Sequence, residues 1–481
     1  MTPKKFIKDI GIIASTQFLT AIEGIIILPV ITKLMGVENY GIWSQMQVTI
    51  SLAISFLTFG LPYSLVRFLA GEKDPSKIRD GVWSSLAITA AASFAALLAL
   101  VFFADPMSQL FGKDSGFVYL TAFILFFSCL NEVLFNAFRA FQQTSTYAFF
   151  FMLQVFGEIG MVILTVLYTG NLVDAFFSLL AARSVVFIAM AITIAKKIGL
   201  TAPRFAGLRN YLAFGLPTIP SNISTWIVQS SNRYLIGALM GTVFVGYFTP
   251  ASMISSSITL LIAPLSFVLP AALSRFYEEN RIDEIKKYLS YSLKYFLAIG
   301  IPAVFGLSVI SKQILELFST ADIAGHSWKI MPLLAICILF YGIHAIASQI
   351  MVVKKRTDIL GKIWIFAAII NFSLNIALIP SMGIMGAAIA NLAAYAIVLA
   401  ITCHYARKTM PFKVDFLFIF KTTAASTVMM VIVLLIPDDN PAAIITKIVA
   451  GTAIYGTLIL WFKGFNKNEI SFFKKLLRKD H

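Results

Sequence analysis

The chain has 481 residues, 59% of them hydrophobic and 13% charged, with a mean hydropathy of +0.85, which leaves too little polar surface to clothe a soluble protein of this size. Its net charge of +15 would suit a polyanion, but the cations are confined to alternate loops, so the charge reports membrane topology and no nucleic-acid partner is expected. The apolar runs are too long for barrel strands and lack their alternation, and no polar segment is large enough to hold a catalytic domain.

In chain order, the first apolar run follows Lys4, Lys5 and Lys8 and passes residue 30 without a small-residue cleavage site, so it is expected to be retained as a span. Spans are expected at about 10–35, 42–67, 81–103, 117–138, 147–168, 172–195, 211–239, 243–271, 289–310, 329–351, 359–379, 384–405, 416–436 and 441–463. Basic residues fall in every second loop: Lys73, Lys77 and Arg79; Arg139; Lys196, Lys197, Arg204 and Arg209; Arg281, Lys286 and Lys287; Lys354, Lys355 and Arg356; Arg407, Lys408 and Lys413; and Lys474, Lys475, Arg478 and Lys479. The intervening loops hold chiefly Lys113, Lys312, Lys329 and Lys447. This asymmetry and the even span count place both termini in the cytoplasm and the chain in the cell membrane as a multi-pass protein.

Two motifs recur in register. Leu-Pro-x-x-Leu-x-Arg-Phe occupies 61–68 and 269–276; Leu34-Met35-Gly36 precedes Gly41 as Leu239-Met240-Gly241 precedes Gly246. Each recurrence is displaced by six spans, an even number, so the halves enter the membrane in the same sense. The expected fold is an all-α polytopic membrane protein of about 14 transmembrane helices, with two parallel six-helix lobes around a central cavity and an added C-terminal helix pair. The expected division is a first lobe over 1–205, a second over 206–410, and the helix pair with its basic tail over 411–481.

Charges inside spans single out candidate residues, because an ionised side chain at a helix centre costs about 2.5–3.5 kcal/mol on insertion scales. Glu158 and Arg183 lie at equal depth on either side of the turn near Gly170, and Glu23 is deep in span 1. They form either a static ion pair or a site in which Arg183 meets an anionic substrate while Glu158 or Glu23 takes up a proton or sodium ion. Arg67 and Arg275 close the repeated octets at the inner face, and Arg233 sits near the outer third of span 7. Each is either an interfacial anchor or a donor to a phosphate on the path. Pro29, Pro217 and Pro220 interrupt the first span of each lobe, as a static kink or a hinge. Cys129, Cys337 and Cys403 are read as buried thiols. The histidines at 326, 344, 404 and 481 lie in different segments, so no metal site and no catalytic constellation is expected.

Residues Asn371, Asn375, Ile379-Pro380, Gly383 and Gly386-Ala387-Ala388, with LMGVENYGIW at 34–43, the Gly60-to-Arg67 segment and VGYFTPAS at 245–252, resemble the Wzx-type polysaccharide flippases of the multidrug, oligosaccharidyl-lipid and polysaccharide exporter superfamily. The resemblance implies a non-enzymatic transporter that moves an isoprenoid-linked oligosaccharide, carried on a phosphate or diphosphate, from the inner to the outer leaflet by alternating access. The implied partners are that glycolipid and membrane lipids, with the chain a monomer. No cofactor is implied, and coupling to H+ or Na+ stays open. The sequence departs from its relatives at Asn232, where many carry an acidic residue, and Glu23 stands where the peptidoglycan-precursor flippases have an arginine-rich first span. Two alternatives remain: a cation-coupled drug exporter using Glu23 and Glu158, and a membrane glycosyltransferase or polymerase, which would need an extramembrane loop with carboxylates. The apolar spans 13 and 14 are expected to line a lateral opening for the lipid chain.

Overall fold

The computed structural model of the chain describes residues 3–111, 115–437, 442–466 and 469. Lys113, Lys474, Lys475, Arg478, Lys479 and His481 lie outside the described residues. Every regular element among the described residues is helical. The first half runs α1 (Pro3–Leu57), α2 (Leu61–Leu69), α3 (Pro75–Phe102), the short α4 (Ala104–Phe111), α5 (Ser115–Ala140), α6 (Thr144–Thr169) and α7 (Leu172–Ile198). Then come α8 (Leu208–Gly215), a 3₁₀ turn at Leu216–Thr218, α9 (Ile219–Met240), α10 (Thr242–Ser255), a second 3₁₀ segment at Ser256–Leu261 and α11 (Ala263–Glu278). The chain continues as α12 (Ile282–Val309), α13 (Ser311–Phe318), α14 (Ala321–Ser327), α15 (Met331–Ala347), α16 (Gln349–Val353), α17 (Thr357–Met382) and α18 (Ile384–Thr409), and the added pair is α19 (Phe416–Leu434) and α20 (Ala442–Trp461).

Among the described residues twelve helices are long and apolar enough to cross a membrane, one of them the 40-residue stretch Phe18–Leu57. That stretch is two spans joined at Gly36, whose backbone leaves the helical region at φ 87°, ψ 174°. Helix α9 has 22 residues, about 33 Å of helix, but its polar side chains keep it out of the apolar set. With these two, the 14 expected spans are accounted for. Span 2 is more broken than its apolar run suggests: Phe59 and Gly60 both take positive φ, and α2 starts afresh at Leu61.

Helix ends follow local chemistry. Asp74 accepts the Ser76 N–H at 2.9 Å ahead of Pro75, and Asn171 accepts the Val173 N–H at 3.0 Å directly after the left-handed Gly170, the expected turn between spans 5 and 6. The segment joining α7 to α8 is pinned to α3. Asp80 accepts the backbone N–H groups of Arg204 (2.6 Å), Phe205 (3.0 Å) and Ala206 (3.0 Å), and Trp83 donates to the Gly199 carbonyl at 3.0 Å.

Packing divides the chain into two compact units, one of Met1–Met253, Phe318–Ile323 and Gly361–Ala394 and the other of Ile254–Leu317, Ala324–Leu360 and Tyr395–His481. The first has α5 at its centre, 72% of its apolar window being buried, and Leu134, Phe138 and Met190 in a core shared with Leu61 and Leu65. The second packs Leu289 and Leu297 of α12 with Leu273, Ile350 and Met410. Phe149, Phe156 and Leu164 of α6 are exposed, as suits a face turned to lipid.

The repeat read from sequence is present in the backbone. Gly241 (φ 101°, ψ 166°) turns the chain as Gly36 does, and within the first unit the two turns meet. A Cβ on Gly41 would lie 2.0 Å from the Thr242 carbonyl oxygen, and one on Gly246 would lie 2.1 Å from that of Val37. Thr242 stands to Gly246 as Val37 stands to Gly41, so the contact is self-complementary, as a two-fold interface is. Ser44 and Thr249, 205 positions apart, hydrogen-bond at 2.9 Å and continue it. Gly41→Ala and Gly246→Ala should each destabilise the protein by about 1–3 kcal/mol through overpacking, read as a lower thermal midpoint in detergent. Gly157→Ala, which meets open space, should not; equal effects at all three would contradict the contact.

Candidate functional site

Four helices bring the deep charges of the first half together. Arg183 of α7 grips Glu158 of α6 with a two-pronged contact, Nε to Oε1 at 3.0 Å and Nη2 to Oε2 at 3.2 Å, while its Nη1 donates to Ser128 Oγ of α5 at 2.6 Å. Asn131, one turn along α5, donates to the Arg183 carbonyl at 3.1 Å. Glu158 and Arg183 are only 2% and 9% exposed. The Glu23 carboxyl of α1 lies within side-chain hydrogen-bond reach of Glu158 and within electrostatic range of Arg183. Two carboxylates thus face one guanidinium in a region of low dielectric, where a lone charge is costly and a paired one needs its partner. Ser128 and Asn131 complete the site without having been singled out in the sequence; their signal is a pair of polar residues at i and i+3 in a run of aromatic and aliphatic side chains.

Arg233 of α9 sits apart from that cluster. Its Nε is buried with no hydrogen-bond acceptor among the described residues, and the Tyr40 phenol is within electrostatic range. Immediately beside it the other face of α9 is tied into a network of amides, in which Asn232 Nδ2 and Asn375 Oδ1 have no partner among the described residues. Asn375 donates to Asn232 Oδ1 at 2.8 Å and to Asn371 Oδ1 at 3.1 Å, Asn371 donates to Asn391 Oδ1 at 3.0 Å, and Ser231 reaches Asn371 at 3.5 Å. This network of neutral amides joins α9, α17 and α18 and contains no carboxylate, so Asn232 serves there as a hydrogen-bonded tie between helices.

The octet arginines are both exposed. Arg67 ends α2 with no ion pair among the described residues. Arg275 donates to Glu279 at 2.8 Å, and Arg281 donates to the second oxygen of Glu279 at 2.9 Å. These bonds hold the Glu279 carboxyl below the ordinary carboxylate range, so Arg275 carries a surface ion pair of modest energy. His344 is buried and meets Thr402 Oγ1 through Nδ1 at 2.8 Å, a satisfied core histidine.

In the second unit α12, α19 and α20 enclose a groove of about 530 Å³ lined by Leu261, Ile299, Leu307, Met430 and Ile448, with Lys447 the charged side chain on its wall. The groove is apolar along most of its length, and spans 13 and 14 form one side of it.

With this geometry in place, comparison with known proteins is informative. Residues 6–271, more than half of the chain, match the family described as polysaccharide biosynthesis protein. The chain belongs to this family. Residues 217–377 also match the MatE family. Stage V sporulation protein B of Bacillus subtilis is 22% identical over 517 residues that cover 98% of each chain. A probable low-salt glycan biosynthesis flippase, Agl15 of Haloferax volcanii, is 22% identical over 217 residues, 45% of this chain and 46% of the relative, so the chain spans about half the length of that protein. Among solved structures, the lipid II flippase MurJ in an inward closed conformation superposes with a TM-score of 0.75 at 16% identity, covering 94% of this chain and 99% of MurJ. The fold is therefore shared with MurJ, two six-helix lobes with an added helix pair.

Arg183→Ala should cost about 3–5 kcal/mol of stability by leaving Glu158 buried and unpaired, whereas Arg183→Met with Glu158→Leu should recover most of it. Thermal unfolding of the three proteins checks this; a neutral single substitution would contradict the buried pair.

Proposed function

We propose that this multi-pass protein resides in the cell membrane with both termini in the cytoplasm and carries an isoprenoid-phosphate- or diphosphate-linked oligosaccharide from the inner to the outer leaflet by alternating access. It acts as a transporter with no catalytic step of its own, as a monomer, with the glycolipid and surrounding lipids as its partners. The observation that carries this reading is Arg233, a guanidinium inside a span with a buried donor that no acceptor among the described residues meets. A fixed cation of that kind is costly in hydrocarbon unless an anion arrives, and a phosphate oxygen suits a guanidinium fork.

Family membership supports the same substrate class, as does the likeness to Agl15, a probable glycan biosynthesis flippase. The groove beside spans 13 and 14 supports a course for the prenyl chain that keeps it out of water. Driving force is available from the membrane potential: each negative charge leaving an inside-negative cell across the whole field gains about 2.3 kcal/mol per 100 mV. Glu23 and Glu158 oppose a single Arg183, so a proton or sodium ion at this cluster balances the second carboxylate and offers a coupling step. Arg183 then organises the coupling carboxylates, Arg233 meets the phosphate, and Arg67 and Arg275 draw anionic head groups to the inner face.

A second reading, a cation-coupled drug exporter, is favoured by the MatE match over 217–377 and by the two carboxylates. Substrate charge separates the readings. In proteoliposomes, an anionic isoprenoid-diphosphate glycolipid should change leaflet in a protein-dependent manner and Arg233→Gln should slow it about tenfold or more; uptake of organic cations with no glycolipid movement would overturn the proposal.

The self-complementary contact at Gly41 and Gly246 must open once per cycle if it belongs to a gate. Ser44→Cys with Thr249→Cys places two thiols where the hydroxyls are 2.9 Å apart, close enough for a disulfide after small adjustments. Oxidation should stop glycolipid movement and reductant should restore it. Full activity of the oxidised, cross-linked protein would show that this contact stays closed throughout transport.

A further inference from the structure

Helix α9 presents two polar faces, one buried in the fold and one partly exposed. Ser224, Val228, Ser231, Asn232 and Ile236 are buried, with Ser231 and Asn232 taken up by the asparagine network. The other face carries Asn222, Trp226, Gln229 and Arg233, whose spacings of four, three and four residues align them in one stripe about 16 Å long. Gln229, at the midpoint of the helix, is exposed, and Asn222 is partly so; neither amide is hydrogen-bonded among the described residues. A free carboxamide in hydrocarbon would cost several kcal/mol, so this stripe faces water or a polar solute.

Its neighbours on α1 hold the stripe in position. Trp226 Nε1 donates to Ser51 Oγ at 3.0 Å and its ring lies 5.8 Å from that of Tyr234; the Tyr234 hydroxyl bonds to Thr49 Oγ1. Gln45, 2% exposed and lying against Gly237, retains an acceptor oxygen with no donor. The stripe therefore offers an aromatic plane fixed by its N–H, amides that both donate and accept, no carboxylate, and one guanidinium at its end. A sugar ring matches this set, with a C–H face that packs on indole and a rim of hydroxyls that donate and accept. An organic cation does not, because the only fixed charge on the stripe repels it.

We infer that Asn222, Trp226 and Gln229 recognise the saccharide of the head group whose phosphate Arg233 meets. This rests on the flippase reading and assigns it a glycan subsite. A site built to hydrogen-bond hydroxyls discriminates strongly against a ligand that lacks them. Two probes are used with the purified full-length chain in nanodiscs: the isoprenoid-linked glycan fraction extracted from the source cells, and the same fraction after mild acid has removed the glycan.

Wild type should bind the intact fraction at least about fivefold more tightly than the stripped one. Trp226→Ala and Gln229→Leu should erase that preference while leaving the affinity for stripped lipid unchanged, and Trp226→Phe, which retains a ring, should keep most of it. Arg233→Gln should weaken both probes alike. Variants at 226 and 229 that keep the preference, or that lose both probes equally, overturn the glycan subsite. A wild-type protein that binds neither fraction overturns the flippase reading beneath it.

Discussion

A polar atom inside hydrocarbon has no water to turn to, so each one must find a partner in the protein, face a wet cavity or be absent. The layout of this protein follows from how its buried polar atoms meet that constraint. Arg183 and Glu158 meet it by pairing, with Ser128 accepting from a third donor of the guanidinium. Asn232, Asn371, Asn375 and Asn391 meet it in part by bonding to one another across three helices, with Asn232 Nδ2 and Asn375 Oδ1 left without a partner among the described residues. Arg233 Nε and the exposed Gln229 amide find no partner among the described residues, and these two lie on one face of the span whose composition is least apolar. Bonded groups tie helices together, while the partly exposed face of α9 is left for a solute.

The second organising feature is the internal repeat, which becomes a physical contact. The turn after Leu34-Met35 and the turn after Leu239-Met240 approach so closely that each needs a glycine four residues beyond the opposing carbonyl's equivalent. Because the same short segment supplies both sides, the contact gives two surfaces that fit each other from one sequence pattern. Contacts of this kind hold or release as a unit, since packed interfaces switch between arrangements instead of deforming continuously.

Much of this was legible in the sequence for identifiable reasons. Apolar runs located the spans, and counting residues from Gly170 put Glu158 and Arg183 at one depth, where they pair. The repeated Gly36 and Gly241 turns share a backbone conformation as their flanking residues suggested. The break at Phe59 and Gly60 was hidden inside an apolar run, since composition says nothing of where a span restarts. The tie between Asn232 and Asn375 joins residues 143 positions apart, and no local pattern announces a partner at that distance. Arg67 and Arg275 read alike in sequence yet differ in structure, one without an ion pair and one held by Glu279, because the acidic residue one turn on is present only after the second octet.

The central claim, that the Asn222–Arg233 face of α9 is wet while the Ser224–Asn232 face is sealed, is tested most directly by thiol accessibility. With Cys129, Cys337 and Cys403 replaced, single cysteines at 222, 226, 229 and 233, and at 224, 228 and 231, are treated in intact membranes with a small, charged, membrane-impermeant thiol reagent. The account predicts labelling at the first four positions and protection at the other three. Protection of the first four from the charged reagent, with labelling there by a lipid-soluble one alone, would contradict it.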